Sequence, residues 1–520
     1  MLRTVMMSAC LLSLVVSAAR AQGEPGPRVQ IDSGVLRGRV ADGVAAFKGI
    51  PYAAAPVGPL RWRPPQPVSA WSGERDATDY SNDCLQNKLS AAWFPSDWLL
   101  PTRPTSEDCL YLNVWAPAHR SGAALPVMVW IHGGGFLTGS GAAPEMVGTG
   151  LAQKGMVVVT FNYRLGRFGF FAHPSLVRDH PDEAVGNYGL MDQIAVLGWV
   201  QRNIAAFGGD PGNVTIFGQS AGGVSVLRLM ISPPARNMFA RAIVESGGGR
   251  ERWARLDAPI AGRPSALSVG EAFARHAGAP DADAAKLRAL PAKTVLGNLR
   301  SMAPEADTYS GPMVDGRIVP GDVDTMFERH EEAKAPLLIG ANSDELGMMP
   351  DLIVDAMTKA GVAKLGPGQA AVVGNYRSGK TRRADLLSDV AFVEPSRFLA
   401  GCHAASGAPT FLYRFSYVAE AKRPSGAGAG HSSEIPYVFD TVAAVAPDAT
   451  DADRKMAATV SGYWTAFART GNPNGSGGFV WPNFDRRTDV LMNFTAEGPV
   501  VQQDPIKPRL DAITNLNPVL

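Results

Sequence analysis

The feature that most constrains this chain is a five-residue turn, Gly218-Gln219-Ser220-Ala221-Gly222. It follows the apolar run Val214–Phe217 and opens a helical stretch over Ala221–Met230. A strand that reverses into a helix so abruptly leaves little room for side chains two residues either side of the apex, and glycine relieves that crowding. The serine is then projected from the turn, and the free N–H groups at the helix start point toward whatever it reacts with. A bare Gly-x-Ser-x-Gly is common by chance. Between a strand and a helix it specifies a nucleophile elbow.

Such an elbow requires strands that alternate with helices, and the rest of the chain agrees. Short apolar runs suited to strands buried on both faces occur at Val127–Ile131, Met156–Phe161, Val214–Phe217, Leu337–Ile339 and Thr410–Phe415. Between them lies Gly189–Asn203, with Leu190, Ile194, Leu197 and Val200 on a helical period. The expected class is α/β, a large, mostly parallel central sheet with helices on both faces. Val29–Ile31 and Val35–Arg37 read as a hairpin, continued by Val44–Phe47, before a Pro-rich loop. The stretches from about Glu251 to Ala335 and Leu352 to Asp389 read as helical excursions around the active site. One domain over 22–520 is expected.

Composition decides the partner class. Apolar residues make up 46% and charged residues 19%, with a net charge of +1, so no basic stripe is available for nucleic acid. The start, with Arg3, an apolar stretch from about Val5 to Val16 and Ala19-Arg20-Ala21, has the form of a signal peptide over 1–21. Export to the periplasm or medium follows. That stretch is too short to span a bilayer, and no longer one occurs, so stable membrane insertion is not expected. In an oxidising compartment Cys84 and Cys109 are expected to pair, while Cys402, in a helical stretch, reads as a buried free thiol.

A second motif, His132-Gly133-Gly134-Gly135-Phe136, ends the run Val127–Ile131. Glycines free backbone N–H groups for close approach to an anion, so Gly134, Gly135 and Ala221 are the expected oxyanion donors. His132 reads as a loop-orienting residue. A serine nucleophile needs a base, and the base an acid that fixes its tautomer. The expected chain order is serine, acid, histidine. Of the late histidines, His403 lies in a helical stretch, whereas His431 lies on a Gly-rich loop beyond Thr410–Phe415 and is the expected base. Asp344 and Glu345 both follow Leu337–Ile339, and spacing does not separate them.

These residues resemble the type B carboxylesterase family of the α/β-hydrolase superfamily, which includes para-nitrobenzyl esterases and cholinesterases. Phe207-Gly208-Gly209-Asp210-Pro211 through Gly222 is similar to the family's serine signature, and Glu107–Val114 (EDCLYLNV) to its second. Phe47–Ala53, Asn162-Tyr163-Arg164, Gly189–Gln193 and Thr470–Asn474 resemble further family blocks, so the likeness runs from about Gly34 to Phe484. The resemblance implies Glu345 as the acid, with Leu346 where the family usually carries glycine. It maps the family's Gly-x-x-His-x-x-Glu block onto Gly428, His431 and Glu434, and implies Ser246 and Glu434 as supporting residues. It also supports the Cys84–Cys109 link. The implied activity is hydrolysis of small-molecule carboxylic esters, aryl or alkyl, through an acyl-enzyme, with no cofactor or metal. A binding protein on this fold would lack the serine or histidine, and a serine peptidase would lack the family blocks. Trp93, Phe94, Trp98, Phe136, Phe170 and Phe171 are candidate pocket or packing aromatics.

Overall fold

The computed structural model describes residues 26–87, 101–119, 122–260, 262–297, 311–347, 349, 354–355, 372–376, 380–475 and 479–516. Residues 1–21, read above as a signal peptide, and Trp93, Phe94 and Trp98 lie outside them.

Eleven strands form the main sheet: β1 (Arg39–Ala41), β2 (Val44–Pro51), β3 (Tyr111–Pro117), β4 (Leu125–Ile131), β5 (Val157–Phe161), β6 (Gly209–Gln219), β7 (Arg241–Glu245), β8 (Leu337–Asn342), β9 (Thr410–Phe415), β10 (Val490–Thr495) and β11 (Gly498–Gln503). Their order across the sheet is β1-β2-β3-β5-β4-β6-β7-β8-β9-β10-β11. The seven strands from β5 to β10 run parallel, while β1–β3 and β11 add antiparallel margins. With helices on both faces this is the α/β-hydrolase arrangement expected from the sequence.

The reason is visible along β4. Val127, Val129 and Ile131 pack on one face with Val157, Val159, Val214 and Ile216. Met128 and Trp130 pack on the other with Val158, Phe217, Ile243 and Leu338. A strand apolar at every position must be covered twice. The first face is covered by α1 (Tyr188–Asn203) and α2 (Ala221–Ile231), through Val196, Leu197, Val226 and Leu227. The second is covered by α4 (Asp451–Thr470), through Val460, Trp464 and Phe467. The first face also receives α3 (Glu394–Ala405), through Leu399 and Ala400.

Several elements differ from the sequence reading. Arg28–Ile31 and Gly34–Arg37 do form a hairpin, but Glu74–Asp76 is their third strand, and Val44–Pro51 belongs to the main sheet. The strands β1, β3 and β7, the β10–β11 hairpin, and α4 with its Thr450–Asp453 capping box are absent from the sequence reading. Strand β6 begins five residues early, with a register shift against β4 between Gly209 and Val214.

Cys84 and Cys109 are bonded, with Cα atoms 4.9 Å apart, and Cys402 is free and buried, its thiol pushed up to about 11 by burial. The bond closes a loop across a separation of 25 residues. On loop entropy alone, removing it with Cys84→Ser and Cys109→Ser is expected to cost about 3 kcal/mol. Comparing denaturant midpoints of the variant and the oxidised protein checks this; equal midpoints would contradict it.

Candidate active site

The site is assembled where β4, β6, β7, β8 and β9 end. Ser220 sits between β6 and α2 with φ 56° and ψ −123°, a strained conformation for a residue with a Cβ. Its N–H donates to Glu245 O at 2.9 Å, continuing the β6–β7 ladder one residue past the strand. The flanking glycines are sterically obligatory. A Cβ on Gly222 would lie 1.9 Å from Ile131 O, and one on Gly218 2.7 Å from the same atom. The helix start is thus pressed onto the end of β4.

The glycine loop after β4 curls against this elbow. A Cβ on Gly133 would stand 3.2 Å from Ser220 Cβ. Gly134, Gly135 and Phe136 follow with φ of 104°, 63° and 62°. Gly134 has no room for a side chain, since a Cβ would meet Thr138 O at 2.1 Å. Among the described residues, the N–H groups of Gly134, Gly135 and Ala221 donate to no backbone or side-chain acceptor. His132 is buried, stacked on Tyr163 with ring centres 4.4 Å apart, and its Nδ1 lies 2.9 Å from Gly133 O. Burial holds its pKa down at about 4, which favours the neutral ring at the foot of the glycine loop.

Glu345 follows β8 and is fully enclosed. Its Oε1 accepts from Ser246 Oγ at 2.6 Å and from Asn342 N at 2.7 Å. Its Oε2 faces His431 Nδ1 in a short contact. Ser246, at φ 50°, ends β7 as Ser220 ends β6, and its N–H reaches Gly340 O at 2.9 Å. His431 comes from the loop beyond β9. Burial lowers its pKa, but the adjoining Glu345 carboxylate, with Glu434 behind it, outweighs that and leaves a net rise. His431 Nε2 lies 3.2 Å from Gln219 Nε2, so the ring leans on the residue preceding Ser220. Among the described residues no hydrogen bond joins the ring to Ser220 Oγ.

The other sequence candidates resolve cleanly. His403 is buried and bonded elsewhere, between Glu332 Oε1 and Ala335 O at 2.9 Å each. Asp344 is separated from Glu345 by role: its carboxylate accepts Gly428 N–H at 3.2 Å, tying down the histidine loop. Leu346 has no positive φ and is buried with Val354, Ala384 and Leu387. Glu434 is buried and bonded to Asn342 Nδ2 at 2.5 Å. Phe136 packs edge-on to Phe170 at 5.1 Å and to Trp253 at 5.8 Å, whereas Phe171 stacks on Trp62 in a separate cluster. Gln219, Asn342 and Phe392, whose ring centre is 5.0 Å from that of His431, were not singled out as contacts of the triad. Nothing in their local sequence marks them, because each acts through a partner distant in the chain.

Comparison with known proteins identifies the family to which this fold belongs. The carboxylesterase family model matches residues 25–365 and 370–512. The chain is 36% identical to fumonisin B1 esterase of Sphingopyxis macrogoltabida over 493 residues, covering 88% of this chain and 85% of that protein. It is 35% identical to para-nitrobenzyl esterase of Bacillus subtilis (strain 168), covering 91% and 95%. A solved structure of PNB esterase superposes with a TM-score of 0.79 at 32% identity, over 94% of this chain and 99% of that one. The chain belongs to the carboxylesterase family and is a carboxylic ester hydrolase.

Proposed function

We propose that Ser220 is the nucleophile, His431 the general base, Glu345 the acid that orients it, and Gly134, Gly135 and Ala221 the oxyanion donors. The observation that carries this reading is the fixed relay from Ser246 and Asn342 through Glu345 to His431, ending beside the elbow. In the reaction, His431 Nε2 exchanges its contact with Gln219 for Ser220 Oγ and takes the hydroxyl proton as Oγ bonds to the ester carbon. The carbonyl oxygen becomes an anion facing the three N–H groups. The imidazolium then returns the proton to the departing alcohol as the C–O bond breaks. Water repeats the sequence on the acyl-serine and releases the acid. Ser246 and Glu434 support the acid and the histidine loop.

The substrates this reading favours are small aryl or alkyl esters. Among the described residues no helix is long and apolar enough to cross a membrane. Removal of 1–21 and export of 22–520 as one catalytic unit accord with the Cys84–Cys109 bond. Two measurements test the reading. A fluorophosphonate probe is expected to add one phosphonyl group, located by peptide mass at Ser220; labelling elsewhere, or none, would overturn the assignment. Turnover should be measured across short, long and aromatic acyl esters, with para-nitrobenzyl esters and fumonisin B1 included because relatives are named for them.

A further inference from the structure

The glycine loop beside Ser220 is held from behind. After Phe136 the chain turns back, and Leu137 N and Thr138 N both donate to Gly134 O at 3.1 Å. Thr138 O fills the space a side chain on Gly134 would need, 2.1 Å from where its Cβ would stand. Gly139, at φ 120°, lies against the other end of the loop. A Cβ on it would fall 2.3 Å from His132 Nδ1 and 2.6 Å from Gly133 O. Thr138 and Gly139 thus form a wall on which Gly133 and Gly134 rest. With so little clearance, a shift of the wall is a shift of the loop.

What holds the wall is Gln86, a buried residue just past Cys84. Its Oε1 accepts from Thr138 Oγ1 at 2.5 Å and from Gly139 N at 2.9 Å. Its Nε2 donates to Gly139 O at 2.9 Å and to Cys84 O at 3.0 Å. Two bonds accepted and two donated are all that a primary amide can make. Three of the four fall on the wall, and the fourth returns to the half-cystine joined to Cys109. Asp83, on the other side of Cys84, takes the next residue of the wall. It is 0% exposed and accepts from Ser140 Oγ, while its other oxygen accepts from Thr102 N at 2.8 Å and Arg103 N at 2.9 Å. Thr138, Gly139 and Ser140 are therefore gripped in succession by two side chains that flank one end of the disulfide. The four bonds of Gln86 include no member of the triad.

We propose that Gln86 is a positioning residue for the oxyanion hole: its carboxamide sets the Thr138–Gly139 wall, and the wall aims the N–H groups of Gly134 and Gly135. The proposal rests on the reading that these N–H groups receive the oxyanion. Glycines have no side chains with which to fix themselves, so their aim comes from what they lean on. Donors of this kind work only when pointed at the place where charge develops, and a displacement of about 1 Å costs up to about 100-fold in rate.

Gln86→Met keeps the length of the side chain and makes none of the four bonds. In the folded variant kcat on an aryl ester is expected to fall about 10- to 100-fold with KM within a few-fold, because the anion depends on these donors more than the ground-state carbonyl does. A trifluoromethyl ketone gives a second readout. Ser220 Oγ bonds to its carbonyl carbon, the hydroxyl proton passes to His431, and the carbonyl oxygen is left as an anion in the hole. Its affinity is expected to fall by a factor similar to that in kcat, while the acid limb of the pH profile stays in place, since the Glu345–His431 relay is untouched. A residue that only stabilises the fold would lower the denaturation midpoint and leave kcat per folded molecule and ketone affinity as they were. That result, or a fall in kcat with unchanged ketone affinity, would overturn the positioning role. Thr138→Val keeps the shape at the wall and removes only the hydroxyl that Gln86 accepts. It is expected to lower kcat and ketone affinity together by a few-fold; unchanged values would overturn the grip, and this variant decides if Gln86→Met does not fold. A ketone that fails to inhibit the natural protein would instead remove the oxyanion assignment itself, and this proposal with it.

Discussion

His431→Ala is expected to leave a folded protein with kcat on an aryl ester lowered by about 10⁵- to 10⁶-fold, the scale on which removing a serine hydrolase's base or nucleophile is felt. The ring sits at the end of a loop whose own anchors do not involve it. Gly428 N bonds Asp344, Ala429 N bonds Ser343 Oγ, and Asp344 N bonds Ala429 O at 2.9 Å. The loop therefore survives the substitution, and stability should change little. The lost step is proton removal from Ser220, for which no other imidazole is placed: His132 is buried and neutral, and His403 is locked between Glu332 and Ala335. Single-turnover kinetics with circular dichroism separate loss of chemistry from loss of fold. Near-normal turnover would move the base elsewhere. With His431 as the base, its raised pKa is expected to set the acid side of the natural protein's profile, activity falling as pH drops through it and the ring becomes cationic.

Glu345→Gln is expected to lower kcat by about 10³- to 10⁴-fold, as when the acid of a comparable triad is turned into its amide. The amide oxygen can keep the donors Ser246 Oγ and Asn342 N, which leaves the NH₂ group facing His431 Nδ1. Nδ1 must then accept, which moves the ring proton to Nε2, the atom that has to take the serine's proton. Asp344→Asn is the matched control. An asparagine oxygen still accepts from Gly428 N, so activity should stay within a few-fold. A collapse in that variant together with a mild effect at Glu345 would exchange the two roles. Steady-state kinetics on both, under one set of conditions, decides.

How much of this was legible in the sequence depends on the range of the interaction. The elbow was, because its requirement for glycine is partly local: a Cβ on Gly218 would stand 2.7 Å from the carbonyl carbon of Gly222 within the same turn. Five of the seven parallel strands were, because burial on two faces leaves their runs largely apolar; β7, the short run Arg241–Glu245, was not. The margins β1 and β3 and the β10–β11 hairpin were not, and β2 was read as a strand at Val44–Phe47 but assigned to the hairpin rather than to the sheet. Arg39–Ala41 is exposed throughout and β11 only partly buried, so neither carries the apolar run that marks a strand. Asp344 and Glu345 were inseparable by spacing because their difference is one of direction: one carboxyl turns to the Gly428 loop, the other toward Ser246 and His431. Gln219 shows the same limit. Its place in the turn is plain, but its contact with a ring 212 positions later is a property of the closed sheet.

That closure has a kinetic meaning. The acid and the imidazole are 86 positions apart, and they meet only after β8 and β9 have paired in register. Long-range parallel pairing is the slow part of assembly, since large chain loops must close before any contact rewards them. Recovered turnover is therefore a strict clock for renaturation, trailing any spectroscopic sign of helix formation and striking only when the middle of the sheet has set.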